Sequence, residues 1–359
     1  MTGSWHASSR AVWILTDKNL EVLKMKSSSR FEAVARSLSL LLVSGCLGGM
    51  TSAALAQTPA VATITELTTI DVEQVGNSPT GPYAVVIEHD PKLATHTIYR
   101  PRELSRTKHP VLVWGEGGCA KNGLLFPEYL TEIASHGLVV IADGPPVARP
   151  TGGANGRAPG AGGPPPGGPP PGGAGPPANR ASMVNGTALV AAMDWLEAES
   201  TDRSSRFFNR VDVGRVAAMG MSCGGLMSYG ASNDPRVATV GIWNSGLFED
   251  EGNSKIYAGI RGSVIIVTGG ESDIAYANGK RDFEVMPANI PVFYGVHPSV
   301  GHGGTYNQDN GGPFGVVAVA WLKWQLQGDT SAAGRGFFVG DNCAICKDTS
   351  WQVASRALP

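Results

Sequence analysis

The stretch that most restricts what this chain can fold into is Val216-Ala217-Ala218-Met219-Gly220-Met221-Ser222-Cys223-Gly224-Gly225. Its apolar first half fits a buried strand. Gly220-Met221-Ser222-Cys223-Gly224 then fits G-x-S-x-G, a strand–turn–helix that lifts a serine hydroxyl clear of a sheet. A serine attacks only from such an exposed position. Glycines two before and two after it carry no Cβ to block the turn. Gly224 and Gly225 also let the following helix approach the neighbouring strands closely.

The rest of the chain supplies a sheet around that elbow. Thr58 to Gly81 reads as a loose lead-in. Tyr83–Glu88 and His96–Tyr99 read as strands flanking Asp90-Pro91. Pro110–Trp114 is an apolar run of the central-strand type, opening into Gly115-Glu116-Gly117-Gly118-Cys119. A helix with Phe126, Tyr129, Leu130 and Ile133 on one face follows, with Gly137 as its stop. Leu138–Ala142 is another buried strand. Residues 144–178 are mostly Gly, Pro and Ala with a PPPGG repeat, and that composition cannot bury a core. A helix over Arg180–Glu199 precedes the Ser222 strand. Val237–Trp243, Ser263–Thr268 and Ile290–Val296 are the remaining strands, the last of them closing the sheet. A final helix carries Val317, Trp321 and Trp324. Strands alternating with helices through short links predict an α/β chain with one doubly wound, mainly parallel sheet flanked by helices.

Three chemistry-bearing residues fall just after three of these strands: Ser222, Asp273 and His302. Strand C-terminal ends in such a sheet gather on one edge, so the three can meet. Ser222 would attack an acyl carbon, His302 would take and return its proton, and Asp273 would orient the imidazole. His297 competes as the base, but it lies at a strand end before a proline, whereas His302 sits in a glycine-flanked loop. Glu271 and Asp282 compete as the acid, but Asp273 comes directly after the strand and is favoured. An oxyanion hole needs two backbone N–H groups. Cys223, next after the nucleophile, supplies one. Cys119, or else Gly117 or Gly118, supplies the other.

Four blocks carry a resemblance. They are Gly118-Cys119 with Ala134-Ser135-His136-Gly137-Leu138-Val139-Val140-Ile141, Gly220–Gly225, Gly270-Glu271-Ser272-Asp273-Ile274-Ala275, and Gly301-His302. Over roughly residues 83–328 the chain resembles the α/β-hydrolase superfamily, and within it the dienelactone-hydrolase and cutinase-like polyesterase branch. The resemblance implies the α/β-hydrolase fold and carboxylic-ester hydrolysis without metal or cofactor. It also implies Cys119 as the oxyanion residue, from its spacing to the Ala134–Gly137 helix end. The family usually has an aromatic at that position and a methionine after the nucleophile, whereas both are cysteines here. Simple esters are therefore expected ahead of polyesters, with polymeric esters a further class of partner. Trp243 and Tyr276, which follow strand ends, are expected to wall the acyl site. The segment between Trp243 and Gly262 is too short for a cap domain, so the cleft should be open. Peptidase or acyltransferase chemistry on this fold, and a non-catalytic binding protein, are the competing readings.

If two cysteine N–H groups face one oxyanion, Cys119 and Cys223 lie close enough for a disulfide. Cys343 and Cys346 form C-x-x-C and read as a second, local bond, since no further Cys or His stands near to complete a zinc site. Disulfides fit an exported protein. Residues 25–56 look like a secretory signal, with Lys26, Arg30 and Arg36, a short apolar core, and Ala54-Leu55-Ala56 as the cleavage pattern, which leaves Gln57 first. On this reading Met25 is the true start and residues 57–359 form one domain in a secreted or periplasmic protein. A lipoprotein anchored at Cys46, within Val43-Ser44-Gly45-Cys46, is the alternative. The apolar core is too short for a stable membrane span. A net charge of −2 without a basic run speaks against a nucleic-acid partner.

Overall fold

Six apolar runs stand side by side as parallel strands, because each is covered on both faces and alternates its side chains between two cores. The computed structural model describes residues 68–75, 78–147, 180–249 and 252–359. The expected signal sequence, with Cys46 and Gln57, and most of the 144–178 segment lie outside the described residues. All described residues belong to one unit, Val61–Pro359.

In chain order the elements are β1 (Thr68–Asp71), β2 (Val85–His89), β3 (His96–Pro101), β4 (His109–Gly115), α1 (Pro127–Ser135), β5 (Val139–Asp143), α2 (Thr187–Thr201) and β6 (Val211–Met221). Then come α3 (Cys223–Ala231), β7 (Val237–Trp243), α4 (Asn253–Gly259), β8 (Ser263–Thr268), α5 (Tyr276–Val285), β9 (Val292–Val296), α6 (Gly312–Gln327), α7 (Arg335–Phe338), α8 (Ala344–Lys347) and β10 (Gln352–Arg356). They build one ten-stranded sheet in the order β1-β2-β3-β5-β4-β6-β7-β8-β9-β10. The run from β5 to β9 in that order is parallel, and antiparallel strands flank it on both sides. The protein is an α/β protein with a mostly parallel sheet and flanking helices.

Alternation divides the core. Leu112, Trp114, Ala217, Met219, Trp243 and Val267 face one side, where α1 and α6 pack through residues such as Tyr129 and Trp321. Val111, Val113, Val216, Ala218, Ile242 and Ile266 face the other, against Leu189 and Met193 of α2 and Leu226 of α3. Among the described residues no helix is long and apolar enough to cross a membrane.

Three expectations change. The helix expected over Arg180–Glu199 is a 3₁₀ turn at Arg180–Met183 followed by α2. Asn185 breaks it, its side-chain oxygen accepting from Thr187 N (3.0 Å) and Oγ1 (2.6 Å), a local bond that competes with the helix. The expected lead-in contains β1, and the sheet does not close at β9, because β10 pairs antiparallel with it. Both added strands lie at sheet edges and are largely exposed, so neither shows the apolar pattern that marks a strand.

Candidate active site

Parallel registry brings Gly115, Met221, Trp243, Thr268 and Val296 to one edge of the sheet, and the loops leaving that edge hold the site. At β6 the chain turns into α3 within one residue. Ser222, at φ 53° and ψ −114°, is that residue, a strained conformation for a side chain with a Cβ. Two contacts hold it: Ser222 N donates to Trp243 O (2.8 Å), and Ser245 Oγ donates to Ser222 O (2.6 Å). The glycine requirement is geometric. A Cβ on Gly224 would stand 1.9 Å from Gly115 O, so α3 sits directly against β4.

Ser222, His302 and Asp273 meet. His302 Nε2 lies 3.0 Å from Ser222 Oγ, and His302 Nδ1 lies 2.6 Å from Asp273 Oδ1. Asp273 is buried and also accepts from Gly269 N (3.0 Å), Ala275 N (2.9 Å) and Asn244 Nδ2 (2.8 Å). Burial pushes its carboxyl upward. The hydrogen bonds from His302, the two backbone N–H groups and Asn244 outweigh that and hold it below the ordinary carboxylate value. With Asp273 ionised, Nδ1 carries the hydrogen and Nε2 is free to accept from the serine hydroxyl.

The competing residues lie elsewhere. His297 packs edge-on against Trp351 at 5.1 Å, with Ser299 Oγ 3.3 Å from its Nδ1. Glu271 is exposed. Asp282 is buried under Tyr229 OH, Tyr257 OH and Leu247 N, each at 2.8 Å.

Cys119 and Cys223 stand at disulfide distance, with Cα atoms 5.2 Å apart, as do Cys343 and Cys346 at 5.3 Å. Cys223 opens α3, where an N–H has no intrahelical partner. Gly118 (φ 64°) and Cys119 (φ 53°) follow one another in the left-handed region at the end of the loop after β4. Gly117 lies deeper, over the Met221 side chain. Among the described residues no three His, Cys, Asp or Glu side chains cluster to hold a metal ion.

Trp243 and Tyr276 do not wall the cleft. Trp243 is fully buried between Tyr129 and Phe314, because its place in the alternation of β7 points it into the core. Tyr276 begins α5 and packs against the opposite core. The walls of the roughly 220 Å³ cavity at Ser222 and His302 are instead Leu226, Phe248, Ile274, Ala275 and Asn278, and Ile274 is 76% exposed.

Asn244 was not anticipated from the sequence. It sits at φ 43° directly after β7 and is fully buried. Its Nδ2 donates to Asp273 Oδ2 (2.8 Å) and Gly301 O (3.1 Å), and its Oδ1 accepts from Tyr306 OH (2.5 Å). This amide orientation follows from its partners, since the reverse would aim Oδ1 at two acceptors. A non-glycine residue of a hydrogen-bonding type at a strand end was the available signal, and it is a weak one.

Compared with known proteins, the chain matches no family model and no curated protein.

Proposed function

We propose that this protein is an exported serine hydrolase of the α/β-hydrolase fold that cleaves carboxylic esters through an acyl-enzyme. The observation that carries the reading is the unbroken chain Ser222 Oγ to His302 Nε2 (3.0 Å) and His302 Nδ1 to Asp273 (2.6 Å) at one sheet edge. Ser222 attacks the ester carbonyl while His302 accepts its proton. The developing oxyanion takes hydrogen bonds from the N–H groups of Cys119 and Cys223. His302 then delivers the proton to the alcohol oxygen as the bond to the acyl carbon breaks. Water, deprotonated by His302, adds to the acyl carbon; the bond to Ser222 Oγ breaks as His302 returns the proton to Oγ, and the acid leaves. Asp273 holds the imidazole in the useful tautomer and stabilises its charged form. The two cysteine pairs at disulfide distance support an oxidising compartment, and N-terminal sequencing of the mature protein tests export.

A fluorophosphonate probe should label Ser222, and Ser222→Ala should lose about 10⁴–10⁶-fold in p-nitrophenyl acetate turnover with an unchanged melting temperature. His302→Ala should be equally impaired and His297→Ala close to wild type. Undiminished turnover in Ser222→Ala ends the serine-hydrolase reading.

A further inference from the structure

The cavity at Ser222 holds about 220 Å³, below the roughly 300–1,000 Å³ usual for small-molecule sites. It does not end there. Cys119, Cys223 and Met183 wall it on one side, and the same three residues wall a second cavity of about 700 Å³. The paired cysteines and Met183 thus form the wall shared by two adjoining cavities, and Cys119 on that wall is exposed. The small lobe holds Ser222 and His302. The large lobe runs from the shared wall between the start of α2, the start of β3 and the end of β5.

The chemistry of the large lobe indicates its occupant. Its charged groups cancel: Lys121 Nζ lies 2.5 Å from Asp143 Oδ2, and that carboxylate is almost fully buried. His96 has both ring nitrogens occupied, Nε2 by Ala188 O (3.1 Å) and Nδ1 by Thr95 Oγ1 (3.0 Å), and burial lowers its pKa and keeps it neutral. Pro145, Met183, Ala188, Ala191 and Met227 supply apolar wall. Nothing here selects an ion, so an uncharged, mainly apolar chain is the complementary ligand.

Which arm of an ester this is follows from the position of His302. The leaving alcohol must sit beside Nε2 to receive its proton, and His302 lines only the small lobe. The acyl arm leaves the reacting carbon away from Nε2, and the lobe that His302 does not line is the one beyond the shared wall.

We propose that the large lobe is the acyl-chain subsite, which makes the substrates esters of extended, uncharged carboxylic acids with small alcohols. This rests on the ester-hydrolase reading above. Ala191 is exposed and lines the lobe away from Ser222, so Ala191→Trp fills the lobe without disturbing the core, and Ala191→Leu fills it partly. The test is kcat/KM on p-nitrophenyl acetate and p-nitrophenyl octanoate, with the same leaving group, alongside melting temperatures. Wild type should favour the octanoate. Ala191→Trp should lose about tenfold or more on the octanoate and less than about twofold on the acetate, with Ala191→Leu between. A parallel series of acetates of longer alcohols should not distinguish the variants. Equal effects on both acyl lengths, no effect on either, or an effect confined to the alcohol series overturns the subsite. If wild type cleaves neither ester and Ser222 takes no fluorophosphonate, the ester-hydrolase reading itself has failed.

Discussion

Removing the two cysteine pairs one at a time separates a proposed bond at the site from a proposed bond local to the tail. Cys119 and Cys223 are 104 positions apart, and Cys343 and Cys346 only 3. The chain-entropy model scales with the logarithm of the loop closed, so it assigns a Cys119–Cys223 bridge about 4.7 kcal/mol and a Cys343–Cys346 bridge about 2 kcal/mol. Cys223 and Cys343 are buried, whereas Cys119 and Cys346 are exposed. The clean variants are therefore Cys119→Ser with Cys223→Ala, and Cys346→Ser with Cys343→Ala. Neither leaves a new hydroxyl buried. At roughly 2–4 °C per kcal/mol for a chain of this size or somewhat smaller, the first pair should lower the melting temperature by about 10 °C or more and the second by about half as much. Guanidinium melts give the same comparison as free energies. Esterase assays well below both melting temperatures should show the first variant impaired and the second close to wild type, because only the first bridge joins the loop after β4 to α3. Equal thermal costs, or a first variant as stable as wild type, would refute the reasoning.

Three further outcomes are expected. Asn244→Ala removes a donor that helps keep Asp273 ionised. It should cut kcat about tenfold or more, and the acid limb of the pH–rate profile should begin at higher pH; an unshifted profile would leave Asn244 a packing residue. Gly224→Ala places a methyl 1.9 Å from Gly115 O and should cost about 3 kcal/mol or more, seen as loss of soluble folded protein or a sharply lower melting temperature. Asp282 faces Tyr229, Tyr257 and Arg281, and burial raises its pKa from 3.8 to about 6. The folded state therefore holds the proton more tightly than the unfolded one. Asp282's contribution is fully present below about pH 4 and falls by about 3 kcal/mol as pH rises through 6. Wild type should lose stability relative to Asp282→Asn across that interval, and a constant difference in guanidinium melts from pH 4 to 7 would be the contrary result.

The local part of this protein was legible in its residues. The elbow at Ser222 has a local sequence signature in Gly220, Gly224 and the apolar strand, although Trp243, Ser245 and Gly115 hold it in the fold. The apolar runs of β4 to β9 are long enough, and buried enough on both faces, to stand out. Asp273 and His302 could be chosen because parallel strands deliver their ends to one edge. The edge strands β1 and β10 were hidden, since exposed strands need no apolar alternation. What the chain itself decided was therefore the sheet's centre and the residues on its rim.

Only the tertiary structure decided which rim side chains turn into the cleft. Trp243 and Asn244 are consecutive, yet the pleat of β7 sends the ring into the core, and a left-handed turn directs the amide to Asp273. Its orienting partner, Tyr306, lies 62 positions away. Ile274, Phe248 and the lobe beyond Cys119 are likewise walls made by segments distant in the chain. Periodicity reports which face of an element is buried. It carries no record of which distant segment covers that face, and the shape of a cleft depends on that packing.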